Sequence, residues 1–291
     1  MINLINIISQ RLKGSILIVV LGIMYVTISI YCSRFGLKTT AYDVNNVKIS
    51  FTITIVQLTD IHSNEFGQEN ENLISKIKKN IPDIIVITGD IINAEDDNIN
   101  QSYRLISKLR DIAPVYISWG NQEIEYMNRT GINLKNKFSE CGAIVLNKEY
   151  QDIQICGQKI RIGGVYGYCL PERYHSNVDE ANFLRRFEST SAYKILLSHL
   201  PYAWKNYGFT EDYDIDLIFS GHLHGGQVIF PLIGGLYDQE SGFFPGKMTG
   251  IFSEDNTTLV LSSGLGSGKE KIPRINNIPE IVITKIGNER S

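Results

Sequence analysis

The sequence predicts an α/β domain whose β-sheet is covered by helices, preceded by one transmembrane helix. Short apolar runs that end in glycine or polar residues alternate with amphipathic runs of helical spacing, which is the pattern of βαβ units. A hydrophobic fraction of 43% and a charged fraction of 20% are typical of a globular protein. One apolar stretch without charges stands apart near the beginning of the 291 residues.

This apolar stretch, Ser15–Tyr31, has the length and composition of a bilayer-spanning helix. A cleavable signal peptide would carry small residues where the stretch ends, but Ile30 and Tyr31 stand there. A buried core helix is the other alternative, and such a helix normally keeps a polar face. We therefore predict an uncleaved membrane anchor over residues 14–32, after a short tail of residues 1–13.

The rest of the chain divides into a predicted linker over residues 33–48 and a predicted domain over residues 49–291. Basic residues on the two flanks of the anchor nearly balance, so the positive-inside rule hardly fixes the orientation. An anchor this close to the amino terminus usually leaves a short tail inside the cell. The prediction is a single-pass protein of the cell membrane with an extracytoplasmic domain, and the abundance of isoleucine, asparagine and lysine is typical of a bacterial sequence.

The first half of the domain repeats a strand, a polar tip and a helix. The first predicted helix places Leu73, Ile74 and Ile77 at helical spacing, with lysines on the other face. The strands are short and apolar, as expected for a sheet covered on both faces. The predicted strands are "ISFTITIVQLTDIH", "PDIIVITGD", "PVYISWGN" and "AIVLN", and the predicted helices are "NENLISKIKKN", "NINQSYRLISKLRDIA" and the segment 132–141.

The second half of the domain contains two predicted hairpins and three further strands. One hairpin turns at Gly157-Gln158 and the other at Asp255-Asn256, where glycine and Asp-Asn pairs favour tight turns. The other strands are "YKILLSH" and "DIDLIFSGHLHGGQVIF", which both run into histidine, and the final "PEIVITKI".

Seven residues able to bind a metal follow the predicted strands, each where a strand ends. The carboxyl ends of the strands carry the ligand site in sheets of this kind, so these side chains should converge. Four of the five histidines stand there, whereas His175 stands apart as a loop histidine. In the segment H-x-H, two imidazoles share one face of an extended chain. The seven residues are Asp60, His62, Asp90, Asn121, His199, His222 and His224.

Each of these fragments is common by itself, because a lone D-x-H or Gly-Asp pair usually belongs to a turn. Together they form a mixed oxygen–nitrogen set that is too large for one tetrahedral ion with an open position. The set suits two ions about 3.5–4 Å apart that share a carboxylate. Four imidazoles favour manganese, iron or zinc over magnesium. We therefore expect two divalent metal ions as cofactors.

The ordered series "DIH", "GD", "GN", "SH" and "GHLH" resembles the calcineurin-like metallophosphoesterases, from about Ile49 to Ile286. The segments "GHLHGGQ" and "SSGLGSGKEKIPRINNIPEIVITKI" are similar to the membrane-associated bacterial branch of that family. The resemblance implies two packed mixed β-sheets flanked by helices, an αββα sandwich. It also implies roles for the seven residues: Asp60, His62 and His224 bind the first metal, Asp90 bridges both metals, and Asn121, His199 and His222 bind the second.

Gln122 departs from the family pattern, which usually carries histidine here in a G-N-H-E or G-N-H-D motif. That histidine steadies the transferred phosphate and helps to protonate the leaving group. A glutamine amide donates a hydrogen bond to a phosphoryl oxygen but gives up no proton near neutral pH. General acid catalysis is worth about 10²–10⁴-fold in rate, and its loss matters least when the leaving group is a stable anion.

Two further residues near the motifs are open to more than one interpretation. Arg274 is a candidate that grips a substrate phosphate bidentately, and the alternative is a solvated surface arginine. Glu123 either supports the site from behind or faces solvent.

These features predict a membrane-anchored two-metal phosphoesterase that hydrolyses phosphodiester or pyrophosphate bonds through a metal-activated hydroxide. The expected substrate is a phosphorylated small molecule or a lipid-linked envelope phosphate, because the anchor holds the site near a membrane. The net charge of −3 gives no electrostatic reason to expect nucleic acid. The alternative is a catalytically silent metal-binding scaffold or interaction domain that has lost the motif histidine at Gln122.

Overall fold

The computed structural model confirms the predicted α/β fold. It describes residues 2–167, 178–206, 208, 210–238, 240–267 and 272–287, without the side chains of residues 2–9 and 178. His175 lies outside the described residues. The helices are α1 (Ile2–Phe35), α2 (Glu71–Lys79), α3 (Asn100–Arg110), α4 (Asn121–Thr130), α5 (Leu134–Glu140), α6 (Val178–Glu188) and α7 (Tyr202–Lys205). The strands are β1 (Lys38–Asn45), β2 (Ile53–Leu58), β3 (Ile84–Thr88), β4 (Val115–Ser118), β5 (Ala143–Val145), β6 (Glu149–Ile155), β7 (Gln158–Val165), β8 (Tyr193–Ser198), β9 (Leu217–Ser220), β10 (Ile229–Phe230), β11 (Gly234–Gly235), β12 (Tyr237–Asp238), β13 (Gly242–Phe243), β14 (Gly250–Glu254), β15 (Thr257–Leu261) and β16 (Glu280–Gly287).

Two mixed six-stranded sheets form the centre of the domain. The first has the order β1-β16-β2-β3-β4-β5, with β2 to β5 parallel and β16 antiparallel to β2. The second has the order β14-β15-β9-β8-β7-β6, parallel from β15 to β7 and antiparallel at both edges. Every residue of β3, β4, β8 and β9 is buried, which explains their mostly apolar sequences.

The two sheets pack face to face over a shared apolar core, and helices cover their outer faces. Ile55, Val86 and Tyr116 of the first sheet share one buried cluster with Ile195 and Val260 of the second. The predicted sandwich of two sheets between helices is therefore confirmed. Its covering residues are Leu73 and Ile77 of α2, Leu105 and Leu109 of α3 and Phe138 of α5 on the first sheet, and Phe183, Leu184 and Phe187 of α6 on the second.

Helix α2 shows how the sequence forms one of these covering helices. Leu73 and Ile77 stand four residues apart on one face and are fully buried. Lys76, Lys78 and Lys79 occupy the last turn, where positive charge stabilises the negative end of the helix dipole.

Both predicted hairpins are present. β14 and β15 turn at Asp255-Asn256, because Glu254 pairs with Thr257. β6 and β7 pair Ile155 with Gln158, so their turn lies at Cys156-Gly157, one residue before the predicted position.

The predicted linker over residues 33–48 is wrong, because most of this segment belongs to the domain. Helix α1 continues to Phe35, and β1 begins three residues later as an edge strand parallel to β16. Val44 of β1 is buried in the core between the sheets. Lys38 pairs with the buried carboxylate of Glu280 at 3.0 Å. β1 is therefore part of the first sheet.

Helix α1 is joined to the domain by hydrogen bonds as well as by the chain. Its stretch Gln10–Phe35 is long and apolar enough to cross a membrane. The buried Ser29 Oγ donates to Asn276 Oδ1 at 2.8 Å and accepts from the Asn276 N–H at 2.6 Å. One turn later, the buried Ser33 Oγ accepts from the Asn277 N–H at 3.1 Å. The last turns of α1 are therefore part of the packed structure.

The place of β1 in the first sheet predicts how two truncations differ. Residues 37–291 keep β1, whereas residues 49–291 lose it and expose the edge of β16. Burial of one valine such as Val44 is worth about 1.5–3 kcal/mol. We expect the shorter form to melt at least about 5 °C below the longer one by circular dichroism. Equal melting temperatures would show that β1 adds nothing to the domain.

Candidate metal centre

The carboxyl ends of five strands from both sheets bring the seven predicted ligands to one edge of the molecule. Three of these ends belong to neighbouring strands of the first sheet, and the second sheet supplies three of the four histidines from the opposite side. Asp60 and His62 follow β2, Asp90 follows β3, Asn121 follows β4, His199 follows β8, and His222 and His224 follow β9.

Asp60, His62 and His224 form the first cluster, in which one ligand atom of each residue lies within 4.8 Å of the others. Nε2 of His62 is 3.3 Å from Nε2 of His224, which is 3.8 Å from Asp60 Oδ1. Asp60 is fully buried, and the two imidazoles lie at the edge of a cavity. The family resemblance implies this same grouping.

Asp90, His199 and His222 form the second cluster under the same distance limit. Nδ1 of His222 and Oδ1 of Asn121 each lie 3.2 Å from Nε2 of His199. Asn121 is the first residue of α4, so the start of that helix carries the amide oxygen into the cluster. The sequence pattern does not predict α4, although it does predict Asn121.

The Asp90 carboxylate stands between the two clusters. Its Oδ2 is 3.5 Å from Nε2 of His199 and 3.7 Å from Nε2 of His62. Its Oδ1 accepts a hydrogen bond from the backbone N–H of Gln122 at 2.9 Å, which turns Oδ2 towards both clusters. This is the position of a carboxylate that two ions share.

Hydrogen bonds fix which ring nitrogens face the centre. Nδ1 of His199 lies 2.7 Å from the Thr88 carbonyl oxygen, and Nδ1 of His224 lies 3.2 Å from the Gly266 carbonyl oxygen. Because a carbonyl oxygen only accepts, these Nδ1 atoms carry protons and the Nε2 atoms face inward. Inward nitrogens and carboxylate oxygens this close together need positive charge between them, and divalent ions supply it. The residues present therefore fit two metal ions.

The charges of the centre also favour a bound cation. Burial, together with the neighbouring His199, lowers the pKa of His222 to about 4. Burial also lowers the pKa of His199, but the Asp90 carboxylate outweighs it and raises that pKa to about 9. Burial by itself would raise the pKa of Asp90, but His199 and His62 hold it well below its usual range. The second cluster thus stabilises a positive charge beside an ionised Asp90.

Most of the ligands are held in a strained backbone conformation. Five of the seven have φ between 47° and 73°, the left-handed region that residues other than glycine avoid. Each such residue costs on the order of 1–3 kcal/mol, and strain of this kind clusters at functional sites. The five residues are Asp60, His62, Asp90, His222 and His224.

Two glycines of the motifs are required by close packing against the ligand carboxylates. A Cβ on Gly120 would lie 2.1 Å from Asp90 Oδ1. A Cβ on Gly221 would lie 2.4 Å from Asp60 Oδ2. In the motif "GN", Gly120 precedes the candidate ligand Asn121 and leaves room for Asp90. In the motif "GH", Gly221 precedes His222 and leaves room for Asp60.

Glu123 supports the centre from behind, which settles the alternatives left open by the sequence. Its side chain is fully buried and accepts backbone hydrogen bonds from Asp90, Ile91 and Gly120 at 2.8, 2.7 and 2.9 Å. Burial raises the pKa of Glu123 to about 7, the charge of Asp90 acts in the same direction, and the N–H donors of Gly120 and Asp90 oppose them. Glu123 therefore ties the turn that carries Asp90 to the turn that carries Asn121.

Gln122 lines the cavity beside both clusters. Its Oε1 accepts a hydrogen bond from the Ala94 N–H at 2.8 Å. Because that N–H only donates, the atom it meets is the amide oxygen, and the NH₂ group points away from Ala94. Within the described part of the chain, this NH₂ group has no protein acceptor, so it is placed to donate to a bound ligand.

Arg274 is neither a phosphate ligand nor a solvated surface residue, the two interpretations from the sequence. It is buried, and its guanidinium group hydrogen-bonds to other residues of the protein. Its side chain is 3% exposed. Its guanidinium makes five hydrogen bonds within the protein, so none remains for a phosphate. The acceptors are the carbonyl oxygens of Ser263, Gly264, Gly266 and Asn277 and the side-chain oxygen of Asn277. Arg274 instead holds the loop whose Gly266 carbonyl orients His224.

A cavity of about 750 Å³ opens over both clusters. Metal ligands and Gln122 form its inner wall, and Leu223, Val228 and Leu236 give it an apolar side. The volume is in the range of cavities that bind small organic ligands. The cavity is therefore large enough to hold a small organic ligand beside the two clusters.

The fold and the paired clusters define a metallophosphoesterase, and comparison with known proteins agrees. The sequence model of the calcineurin-like phosphoesterases matches residues 53–226. An uncharacterised metallophosphoesterase of Campylobacter jejuni is 30% identical over 287 residues, which cover 96% of this chain and 71% of that protein. Another from Bacillus subtilis is 28% identical over 235 residues, which cover 79% of this chain and 77% of that protein. This chain belongs to the calcineurin-like phosphoesterase family.

Solved structures with the same general fold are more distant. The sulfate thiohydrolase SoxB of Thermus thermophilus is 12% identical with a TM-score of 0.48, covering 77% of this chain and 52% of that protein. A 5'-nucleotidase of Candida albicans is 13% identical with a TM-score of 0.47, covering 79% of this chain and 47% of that protein. This chain thus spans about half of the length of either protein.

The position of Asp90 predicts the effect of its loss on metal binding. Wild-type protein loaded with manganese should contain about two ions per chain. Asp90→Asn keeps the shape but removes the charge that both clusters share, so we expect one ion or none by elemental analysis. Asp111→Asn is the matched control, because the Asp111 side chain is 71% exposed in an ion pair with Arg110. An Asp90→Asn protein that still holds two ions would show that Asp90 is not the bridge.

Proposed function

We propose that this protein is a membrane-anchored phosphoesterase that hydrolyses phosphodiester or pyrophosphate bonds with two divalent metal ions. The observation that carries the proposal is the Asp90 carboxylate, whose Oδ2 lies within 3.7 Å of a histidine nitrogen from each cluster. A ligand set shared in this way suits two ions that act on one phosphorus. Membership of the calcineurin-like phosphoesterase family supports a metal-dependent phosphohydrolase.

Some side chains of the site bind the ions, and others position the metal ligands and the substrate. The seven ligands hold the ions, and their four imidazoles favour manganese, iron or zinc over magnesium. When bound, such ions activate a water and offset the charge on the phosphoryl oxygens. Glu123 fixes Asp90 and the start of α4 before substrate binds, because its carboxylate accepts N–H groups from both turns.

Gln122 positions the phosphoryl group and narrows the choice of substrate. Its oxygen is held by Ala94, so its NH₂ group can donate to a phosphoryl oxygen in the cavity. It cannot protonate a leaving group, and the leaving group must therefore depart as a stable anion. Phosphodiesters with acidic alcohols and pyrophosphates meet this condition better than alkyl monoesters do.

Hydrolysis of bis(p-nitrophenyl) phosphate by the full chain tests the activity directly. We expect hydrolysis that depends on added manganese. Gln122→Met has a similar length but no donor, and a hydrogen bond to a charged group is worth about 1.5–3 kcal/mol. The variant should therefore be about 10–100-fold slower. Protein that binds two ions but hydrolyses nothing would instead be the catalytically silent scaffold.

Gln122→His tests the role of the missing acid. An added proton donor should speed hydrolysis of alkyl esters by about 10²-fold or more, because negative charge builds up on their basic leaving oxygen. The same variant should leave nitrophenyl esters nearly unchanged, because their anions need no proton. Rates across a series of leaving groups measure this dependence. A change in rate that is flat in leaving-group pKa would contradict the account.

We further propose that α1 is an uncleaved anchor and that the domain lies outside the cytoplasm. The support for an uncleaved anchor is the pair Ser29 and Ser33, whose hydroxyl groups bond Asn276 and Asn277. Cleavage at the end of the apolar stretch would remove Ser29, and Asn276 would lose both hydrogen bonds to its hydroxyl group. A signal peptide has no such role in the folded domain.

Protease treatment of intact cells tests this topology. A domain outside the cytoplasm should be degraded by added protease, and the protein should stay with the membranes after washing at high salt. The control is a cytoplasmic protein, which must survive until the cells are lysed. Protection of the domain until lysis would reverse the orientation, and release into the medium would show that α1 is cleaved.

A further inference from the structure

An exposed apolar surface stands next to α1, at the mouth of the cavity. Two short ribbons, β10–β11 and β12–β13, carry it after the last metal ligand. Leu232 at the tip of the first ribbon is 107% exposed, and Phe243 of the second is 71% exposed. We call this surface the apolar rim, and its residues are Phe230, Leu232, Ile233, Tyr237, Phe243 and Phe244.

The apolar rim is one continuous surface. The rings of Phe230 and Phe244 are 5.9 Å apart, and those of Tyr237 and Phe243 are 5.2 Å apart. The backbone N–H of Phe244 donates to the Leu236 carbonyl oxygen at 2.9 Å, which joins the two ribbons. Contiguous exposed apolar surfaces usually mark contact with a protein or a membrane.

The rim is tied directly to α1. The Asn276 side chain donates to the carbonyl oxygen of Ile229, the residue before Phe230, at 3.1 Å. The same side chain accepts from Tyr25 Oη at 2.9 Å and from Ser29 Oγ at 2.8 Å. All these polar groups are paired with one another, so the junction is compatible with a low-dielectric environment.

The level of this junction along α1 relates the rim to the proposed anchor. Tyr25 lies six residues and Ser29 two residues before Tyr31, where the uncharged stretch ends. A helix rises about 1.5 Å per residue, so the junction extends from about 3 to about 9 Å inside that end. Arg34 and Lys38 follow at the level expected for lipid headgroups. Amphipathic surfaces bury about 5–10 Å into this boundary.

The short connection between α1 and the domain keeps this geometry fixed. Only Gly36 and Leu37 separate α1 from β1. β1 begins beside Glu280 at the edge of the sheet that carries the metal ligands, and it runs about 23 Å away from that edge to Asn45. The edge with the site therefore faces the membrane, and the opposite edge faces away.

We propose that the apolar rim inserts into the same leaflet that α1 enters, so that the cavity opens at the bilayer surface. Tyr237 and Ile272 line the cavity and are each about half exposed, which makes its entrance apolar on this side. A phosphoester of a lipid then reaches the ligand clusters without leaving the membrane. The proposal rests on the anchoring proposed above and is independent of the hydrolytic activity.

Tryptophan fluorescence in vesicles tests the insertion. The full chain carrying Leu232→Trp is reconstituted in phosphatidylcholine vesicles whose acyl chains are brominated, because bromine quenches tryptophan on contact. The native Trp119 and Trp204 are 3% and 1% exposed and give a constant background. At a depth of about 5–10 Å we expect the added emission to fall by about half or more relative to unbrominated vesicles.

Val47→Trp is the matched control, because Val47 is 88% exposed and lies just beyond the far end of β1. Its emission should be the same in both kinds of vesicle. Equal quenching of the two variants, or none at Leu232→Trp in chains that float with the vesicles, would overturn the proposal. Cross-linking of two chains through Leu232→Cys without quenching at this position would also overturn it, since a second copy would then cover the rim. Flotation measures the anchor separately, so failure of α1 and failure of the rim are distinguished.

Discussion

The Asp90 carboxylate meets histidine nitrogens from both sheets at its Oδ2, and the fold holds these buried polar groups together. Glu123 fixes the turn of Asp90 through backbone N–H groups, while Gly120 gives the carboxylate its space. Carbonyl oxygens such as that of Thr88 turn the imidazoles inward. The rest of the structure at this edge depends on this arrangement, because the strained strand ends and the buried loop around Arg274 serve to keep it.

Much of the fold and of the site was accessible from the sequence, because both depend on local patterns. Fully buried strands such as β3 have mostly apolar sequences, and covering helices such as α2 show helical spacing. The candidate ligands were accessible because each follows the carboxyl end of a strand, and these ends converge at one edge of the two sheets. The left-handed turns at Asp60 and Asp90 were not accessible, since only a small fraction of aspartates and histidines adopt a positive φ and the sequence does not mark which of them do.

The errors concern features that depend on distant partners. β1 is an edge strand that is mostly exposed, so its sequence lacks a run of apolar residues. Its partner β16 lies some 240 residues later in the chain, so no local signal marks β1 as a strand. Arg274 is polar and stands in a glycine-rich region, which suggests an exposed loop. Its burial follows from four backbone carbonyl oxygens that a loop turned inward presents to it. In both cases tertiary contacts determine the conformation, and these contacts cannot be inferred from the local sequence pattern.

The structure connects the candidate metal centre to helix α1 through a few polar residues. Ser33 bonds the backbone of Asn277, and the Asn277 side chain donates to the carbonyl oxygen of His224 at 2.6 Å. Arg274 bonds Asn277 and also the carbonyl group of Gly266, which orients the His224 ring. The end of α1, the loop and His224 thus form one packed unit, which explains why the cavity and the apolar rim share an edge of the molecule.

Anomalous X-ray diffraction from crystals grown with manganese shows directly whether Asp90 lies between two ions. We expect two anomalous peaks about 3.5–4 Å apart, with the Asp90 carboxylate between them. One peak should lie among Asp60, His62 and His224, and the other among Asn121, His199 and His222. A single peak, or two peaks that do not share Asp90, would contradict the account.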